Sequence, residues 1–332
     1  MGFQVRLAVL GAGSWGTALT IEFARSGHDV LLWTRDETVT RSIASTGRHP
    51  RRLVEHDIPR SVRVAPSLAE AFDGERALFL CVPCAALSSL LDAAPARPGA
   101  ALRFVNTSKG VEPESLKRMS ELILDRYPGA AVAALSGPTF AEGVARGDPS
   151  AAVVASQDAA WAGELQRSLS SSALRLYRSD DVVGVELAGA LKNVVAIAAG
   201  IVSGLGFGHN TLAALVTRGL SEIGRIVRGH GGQDRTVHGL AGIGDLLLTC
   251  TGQQSRNRFV GEQIGRGGRL ADILARLPEV AEGARTCLAV PRLAASAGTE
   301  APIADAVIQV LYENVAPREA VEALMRRALR PE

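Results

Sequence analysis

The stretch that most constrains this chain is Val5 to Ala18, VRLAVLGAGSWGTA. Val5, Leu7, Ala8, Val9 and Leu10 form a nearly continuous apolar run, as expected of a strand covered on both faces. Gly11, Gly13 and Gly16 follow in GxGxxG spacing, enclosing Ser14 and Trp15, and Thr17 to Arg25 continues as a helix. Each glycine has a physical task. Gly11 permits the tight turn, Gly13 lets the backbone approach a pyrophosphate, and Gly16 lets helix and strand pack closely. The first N–H groups of the helix and the positive end of its dipole then face the ligand. Strand, glycine turn and helix in this order predict a dinucleotide site.

The 332 residues are enough for two domains, and 47% are hydrophobic. A net charge of +2 with 21% charged residues gives no electrostatic case for nucleic acid or an anionic membrane. The chain enters its first strand directly, so no signal peptide is expected and the location predicted is cytoplasmic. The longest apolar stretch, Val182 to Leu205, contains Glu186, Lys192 and several glycines and reads as a buried core helix, not a membrane span. Cys81, Cys84, Cys250 and Cys287 make no disulfide framework in a chain this long. Of the 36 basic residues only Lys109, Lys117 and Lys192 are lysines. A lysine kept against that bias points to a task a guanidinium cannot perform, because only the amine readily gives up a proton.

Asp29 to Trp33 is a second strand, and a ribose-reading residue belongs near its end. That position falls on Arg35, suited to a 2′-phosphate, and Asp36, which would accept a ribose hydroxyl. A capping box over Thr34-Arg35-Asp36-Glu37 accounts for the acid, so the reading leans to Arg35 and NADP. Residues 46–60 read as a surface excursion with His49 and His56 as solvated loop histidines. Strands are expected over 62–64, 77–82, 101–105, 130–135, 151–155 and 174–177. Cys81-Val82-Pro83-Cys84 is formally CxxC, but Cys81 lies in an apolar strand and the pair reads as ordinary packing. Lys109 falls at the carboxyl end of a strand, where α/β sheets bind ligands; Lys117 is placed on the next helix as part of a solvated face. Composition changes near Asp180. The chain therefore divides into 1–180, an α/β domain with a mostly parallel sheet, and 181–332, an all-α domain.

Lys192 is the strongest catalytic candidate. It lies inside an apolar helix, where desolvation lowers an amine's pKa and suits it to general acid–base work. Asp245 follows the glycine-rich turn Ala241-Gly242-Ile243-Gly244 and could equally N-cap the helix it opens. Ser255-Arg256-Asn257-Arg258 offers a forked guanidinium between a hydroxyl and an amide, a plausible phosphate cradle. His209, His230 and His238 show no metal-ligand spacing, and no metal is expected.

The motifs GAGSWGTA, SKG, SGPTFA, LAGALKNVVAIAAG, GFGHN, AGIGDLLLTCT and SRNR recur in order from residue 11 to 258, and VAEGART follows at 280–286. In these the sequence resembles the bacterial-type NAD(P)-dependent glycerol-3-phosphate dehydrogenases. The resemblance implies a Rossmann-like domain joined to a helical one and a homodimeric assembly. The reaction implied is reversible hydride transfer between NAD(P)H and dihydroxyacetone phosphate, giving sn-glycerol 3-phosphate for phospholipid synthesis. By the same resemblance Ser14, Trp15, Arg35, Lys109, Ala141, Arg256, Val280 and Glu282 would contact the cofactor. Lys109, Gly137, Thr139, Lys192, Asp245, Ser255, Arg256 and Asn257 would surround the substrate. Lys192 would exchange a proton with the substrate oxygen, and Asp245 would orient Lys192 or a substrate hydroxyl. The sequence departs from the family's pattern at Gly143, Phe259 and Cys287, none of them a residue assigned to chemistry. Two other readings are a 3-hydroxyacid or ketopantoate reductase, which would lack a phosphate-binding SRN loop, and an NAD(P)-binding protein without turnover.

Overall fold

The computed structural model describes residues 4–73, 76–95, 102–277 and 279–327. The chain forms two compact units, one of Met1–Lys109 with Arg118–Val185 and one of Gly110–Lys117 with Glu186–Glu332. The sequence division at 180/181 puts residues 110–117 in the first unit, whereas here they group with the second. There Arg292 donates to the carbonyls of Pro113 and Glu114 at 2.9 and 3.1 Å.

The first unit is built on an eight-stranded sheet. Its strands are β1 (Arg6–Leu10), β2 (Asp29–Trp33), β3 (Arg63–Val64), β4 (Ala77–Leu80), β5 (Arg103–Asn106), β6 (Ala131–Ser136), β7 (Ser150–Ser156) and β8 (Leu174–Ser179). They lie in the order β3-β2-β1-β4-β5-β6-β7-β8, and only the β6–β7 pairing is antiparallel. The first six strands thus have the doubly wound order, with its switch point between β1 and β4. Alternate residues of the central strands face opposite layers. Leu7, Val9, Phe79 and Val105 enter one apolar cluster, and Ala8, Leu10, Leu78, Leu80 and Phe104 enter the other. Covering both faces is what the unbroken apolar run of β1 predicts.

Two local expectations need correction. Lys117 is not on a helix, which runs over Met119–Arg126. Glu112 instead accepts from the backbone N–H groups of Glu114 and Ser115, and Leu116 takes a φ of 61°, so the chain turns before the helix begins. Ala101, given as the start of a strand, lies outside the described residues, and β5 begins at Arg103.

The second unit contains helices and no strand among its described residues. The helix Val182–Gly204, which belongs to this unit from Glu186 on, has a window of mean hydropathy 1.7 that would suit a membrane span, yet every residue of that window is buried. Glycines let another helix, Arg256–Gly265, come unusually close to it. A Cβ on Gly200 would stand 2.0 Å from the Arg258 carbonyl oxygen, and one on Gly261 would stand 1.9 Å from that of Ile197. Contact at backbone distance requires glycine at both positions. Both sequence blocks, LKN and SRN, therefore ride on one rigid helix pair.

Candidate active site

In the first unit the GxGxxG turn has the geometry its glycines imply. Gly11 takes a φ of 115°, and a Cβ there would stand 2.5 Å from the Cys81 carbonyl oxygen. A Cβ on Gly16 would stand 1.9 Å from the Gly11 oxygen, so only glycine allows the first helix, α1 (Ser14–Arg25), to sit against the turn. Gly13 is the N-cap of α1, and no side chain caps its first turn. Ser14 and Trp15 open that turn, and the Trp15 indole N–H is buried without a hydrogen-bond partner. An uncapped helix start behind an exposed glycine is a set of donors suited to a pyrophosphate, so these residues fit a dinucleotide.

Arg35 is exposed just past β2, and Asp36 is engaged locally. Asp36 is the N-cap of the second helix, α2 (Glu37–Thr46), accepting from Thr38 and Val39 at 2.9 and 3.3 Å, and it pairs with Arg51. These contacts, Arg51 foremost, hold its carboxyl below the usual carboxylate range. At the carboxyl ends of β5 and β6, Lys109 Nζ donates to the Gly137 carbonyl at 3.3 Å. The Thr139 hydroxyl donates to the same oxygen, also at 3.3 Å. The loop before Lys109 is fixed by contacts that the sequence did not reveal. Thr107 Oγ1 donates to the Leu80 carbonyl at 2.9 Å and Ser108 Oγ to that of Val82 at 2.6 Å. Ala141 opens the helix Ala141–Arg146.

His49 and His56 are not solvated loop histidines. His49 is 3% exposed, with Nε2 at 2.8 Å from the Ala12 carbonyl oxygen. His56 Nε2 lies 2.7 Å from Oε1 of Glu142. The charged, breaker-rich composition of 46–60 concealed that the excursion packs back onto its own unit. Cys81 is packed as expected. Burial pushes its thiol up to about 12, and the Thr107 hydroxyl donates to it at 3.4 Å. None of the four cysteines is in a disulfide, and among the described residues no cluster of His, Cys, Asp or Glu could hold a metal ion.

In the second unit Lys192 and Asp245 form a buried ion pair. Lys192 Nζ donates to Asp245 Oδ1 at 2.6 Å and to Thr249 Oγ1 at 2.5 Å. Thr249 Oγ1 in turn donates to the Asp245 carbonyl at 2.6 Å. Both charged residues are at most 5% exposed. Burial disfavours the ammonium and the carboxylate favours it, so the desolvation expected of this amine acts together with a charged partner. Asp245 is no N-cap. A π-helical turn, Leu240–Gly244, runs straight into the helix Asp245–Thr251, so the acid already sits in helical backbone and its carboxylate points to the lysine. That turn needs Gly242, where a Cβ would stand 1.9 Å from the Val237 carbonyl oxygen.

Sequence reasoning missed Thr249, one helical turn beyond Asp245, and Asn193, next to Lys192. The i,i+4 spacing of Asp245 and Thr249 was the available signal. Asn193 Oδ1 accepts from Asn257 Nδ2 at 3.0 Å, and Asn257 Oδ1 accepts from the Gly283 N–H at 2.9 Å. Asn257 thereby ties the SRN block to the residues carrying Glu282. Ser255 Oγ accepts from the Arg258 N–H at 3.2 Å as the N-cap of Arg256–Gly265. Ser255 and Asn257 are therefore committed to backbone and neighbouring helices, which is more than the expectation of helpers to one guanidinium. Arg256 is half-exposed and donates to Glu279 Oε2 at 2.8 Å. Val280 is 50% exposed, and Glu282 begins the helix Glu282–Thr286.

Comparison with known proteins agrees with both units. The N-terminal model of the NAD-dependent glycerol-3-phosphate dehydrogenases matches residues 6–162, and the C-terminal model of that family matches 181–322. A glycerol-3-phosphate dehydrogenase [NAD(P)+] of Koribacter versatilis is 45% identical, with 97% of each chain covered. The enzyme of that name from Acidobacterium capsulatum is 44% identical over 98% of this chain and 99% of its own. The crystal structure of glycerol-3-phosphate dehydrogenase from Coxiella burnetii superposes with a TM-score of 0.91 at 34% identity, covering 98% of this chain and 99% of that one.

Proposed function

The chain belongs to the NAD-dependent glycerol-3-phosphate dehydrogenase family, and from that premise we propose that it reversibly reduces dihydroxyacetone phosphate to sn-glycerol 3-phosphate with NAD(P)H. The product would supply glycerophospholipid synthesis. The observation that carries the reading is the buried Lys192–Asp245–Thr249 cluster, an amine held by two oxygens in a water-poor setting. Reducing a carbonyl takes a hydride and a proton, and the nicotinamide supplies the hydride when bound. Lys192 Nζ gives its proton to the oxygen on carbon 2 and takes one back in the reverse direction. Asp245 and Thr249 hold Nζ in place, which favours an orienting role for Asp245. Arg256 takes the phosphate as a forked donor, exchanging its contact with Glu279 for the ligand. Lys109, whose Nζ donates to the Gly137 carbonyl at the carboxyl ends of β5 and β6, adds positive charge for the phosphorylated substrate and the cofactor.

The glycine turn with Ser14 and Trp15 holds the pyrophosphate and nearby ribose, and Ala141, Val280 and Glu282 complete the cofactor contacts. Asp36 is spent on α2 and Arg51 and is therefore poorly placed to accept a ribose hydroxyl. This supports Arg35 as the reader of a 2′-phosphate and NADP over NAD. The resemblance further supports a cytoplasmic homodimer, which sedimentation of the purified protein tests. The activity is tested by following NADPH oxidation with dihydroxyacetone phosphate and with unphosphorylated dihydroxyacetone, then with NADH. Turnover confined to the phosphate ester is expected, faster with NADPH, and Arg35→Ala should narrow the difference between cofactors. Tight NADPH binding without turnover would overturn the proposal.

A further inference from the structure

Residues 47–58 are fastened to the first unit at three points. The His49 ring meets the Ala12 carbonyl, in the middle of the GxGxxG turn, at 2.8 Å. Arg51 pairs with Asp36, at the end of β2. His56 meets Glu142, next to Ala141, at 2.7 Å. Each anchor lies beside a residue assigned above to the cofactor. The segment also closes on itself, with the Ile58 N–H donating to the Gly47 carbonyl at 2.8 Å and Ile58 buried.

His49 links the segment to the turn through both ring nitrogens. Nε2 faces a carbonyl and must carry the proton. Nδ1 faces two donors, the backbone N–H groups of Arg51 and Arg52 at 3.1 and 3.0 Å, and must be the bare acceptor. The neutral Nε2–H tautomer is the one form that satisfies all three contacts. We propose that His49 is the positioning residue that holds 47–58 as a wall of the dinucleotide site, so that neutral His49 is required for full cofactor affinity. This rests on the reading of the GxGxxG turn as the cofactor site.

Protonation would place a hydrogen on Nδ1 opposite two N–H groups and release the turn at Arg51 and Arg52. Burial first, and then the Arg52 and Arg51 charges, push the His49 pKa down from its usual value, while the Ala12 carbonyl and Asp36 oppose them. The charged groups facing the ring are thus Arg51 and Arg52 from the segment and Asp36 from the β2–α2 junction; Ala12 contributes only its carbonyl. The Asp36 carboxyl is itself held low, so on acidification His49 stays neutral and Asp36 stays ionised further than the free side chains would.

The test is calorimetric binding of NADP+ between pH 5 and 8, with steady-state kinetics, on wild type, His49→Ala, His49→Asn and Gly13→Val. Losing these hydrogen bonds should weaken NADP+ binding about tenfold in His49→Ala. The effect should appear in the NADPH KM, with kcat at saturating NADPH and the dihydroxyacetone phosphate KM within about twofold, as expected for lost cofactor binding alone. An asparagine side chain offers an oxygen near the Nδ1 position to the two N–H groups but is shorter than the bond to Ala12 needs, so His49→Asn should restore part of the affinity at neutral pH. It should also abolish the weakening that wild type shows on acidification. Equal binding by His49→Ala and wild type, or an acid dependence unchanged in His49→Asn, would overturn the role of His49. Gly13 has a φ of −70°, which any residue adopts, so Gly13→Val should fold and lose NADP+. Wild-type binding by Gly13→Val would instead overturn the reading of the turn.

Discussion

Replacing Lys192 with methionine separates what the buried ion pair does for stability from what it does for chemistry. Methionine nearly matches the lysine stem in volume, so little cavity is created. The change leaves the Asp245 carboxylate, 1% exposed, without its cation. Thr249 Oγ1 lies 2.6 Å from the Asp245 backbone carbonyl and 3.4 Å from its Oδ1, but a neutral hydroxyl does not balance the carboxylate's charge. Breaking a pair buried to this degree costs about 3–5 kcal/mol. In a cooperative unit of about 150 residues, each kcal/mol lowers the melting temperature by about 2–4 °C. Lys192→Met should therefore melt about 6–20 °C below wild type. Adding Asp245→Leu removes the stranded charge and should recover most of that loss, because apolar groups of similar size often replace buried pairs without penalty. Activity should not recover. Both variants lack the proton donor and should turn over at least about 100-fold more slowly with dihydroxyacetone phosphate. Scanning calorimetry and NADPH oxidation on the same preparations read the two effects. A single variant that melts within about 2 °C of wild type, or a double variant with near-normal turnover, would refute the reasoning.

Other consequences follow from the same geometry. Thr249→Val removes a hydroxyl oxygen that Nζ donates to and should lower kcat about tenfold while leaving the KM for NADPH unchanged, as steady-state kinetics would show. Burial pushes the Glu222 carboxyl up to about 7 from 4.5, although its oxygens accept from the Ile303 and Ala304 N–H groups. Its folded pKa is raised, so its contribution to stability is full below about pH 4.5 and is lost as the pH rises through 7. Glu222→Gln should flatten that decline in thermal unfolding followed between pH 5 and 8. Burial likewise pushes the thiols of Cys81, Cys250 and Cys287 up to about 12. Alkylation of the native protein at pH 8 should therefore spare all three, as peptide mass mapping would reveal. Gly261→Ala should be severely destabilising, because its Cβ would meet the Ile197 carbonyl oxygen; urea unfolding tests this.

Several features follow from local sequence because their causes are local. The run RLAVL is apolar at every position after its arginine, and a strand of that kind must be covered on both faces wherever it occurs. Gly11 and Gly16 are required by backbone approach within a single turn, so the dinucleotide turn could be recognised from its own residues. The same holds for the buried helix around Lys192, where a charge surrounded by apolar residues has few explanations. Lysine scarcity sharpened that choice.

What only the tertiary structure decided depends on partners distant in the chain. Asp245 lies 53 residues from Lys192, and a short helix start gives an acid an equally good local use as a cap. The competing reading fails only because the π-helical turn at Gly242 carries Asp245 past the cap position. Asn257 likewise reads as a loop amide until Asn193 and Gly283 are brought to it. His49 shows the same limit most clearly. Thr-Gly-Arg-His-Pro-Arg-Arg has the composition of a solvated loop, and composition records the charges that remain outside while saying nothing of the one ring that turns inward. The carbonyl that receives it belongs to Ala12, 37 positions earlier. Local propensity fixes which backbone shapes a segment can take, but a hydrogen bond across the fold depends on where the sheet brings the two segments together.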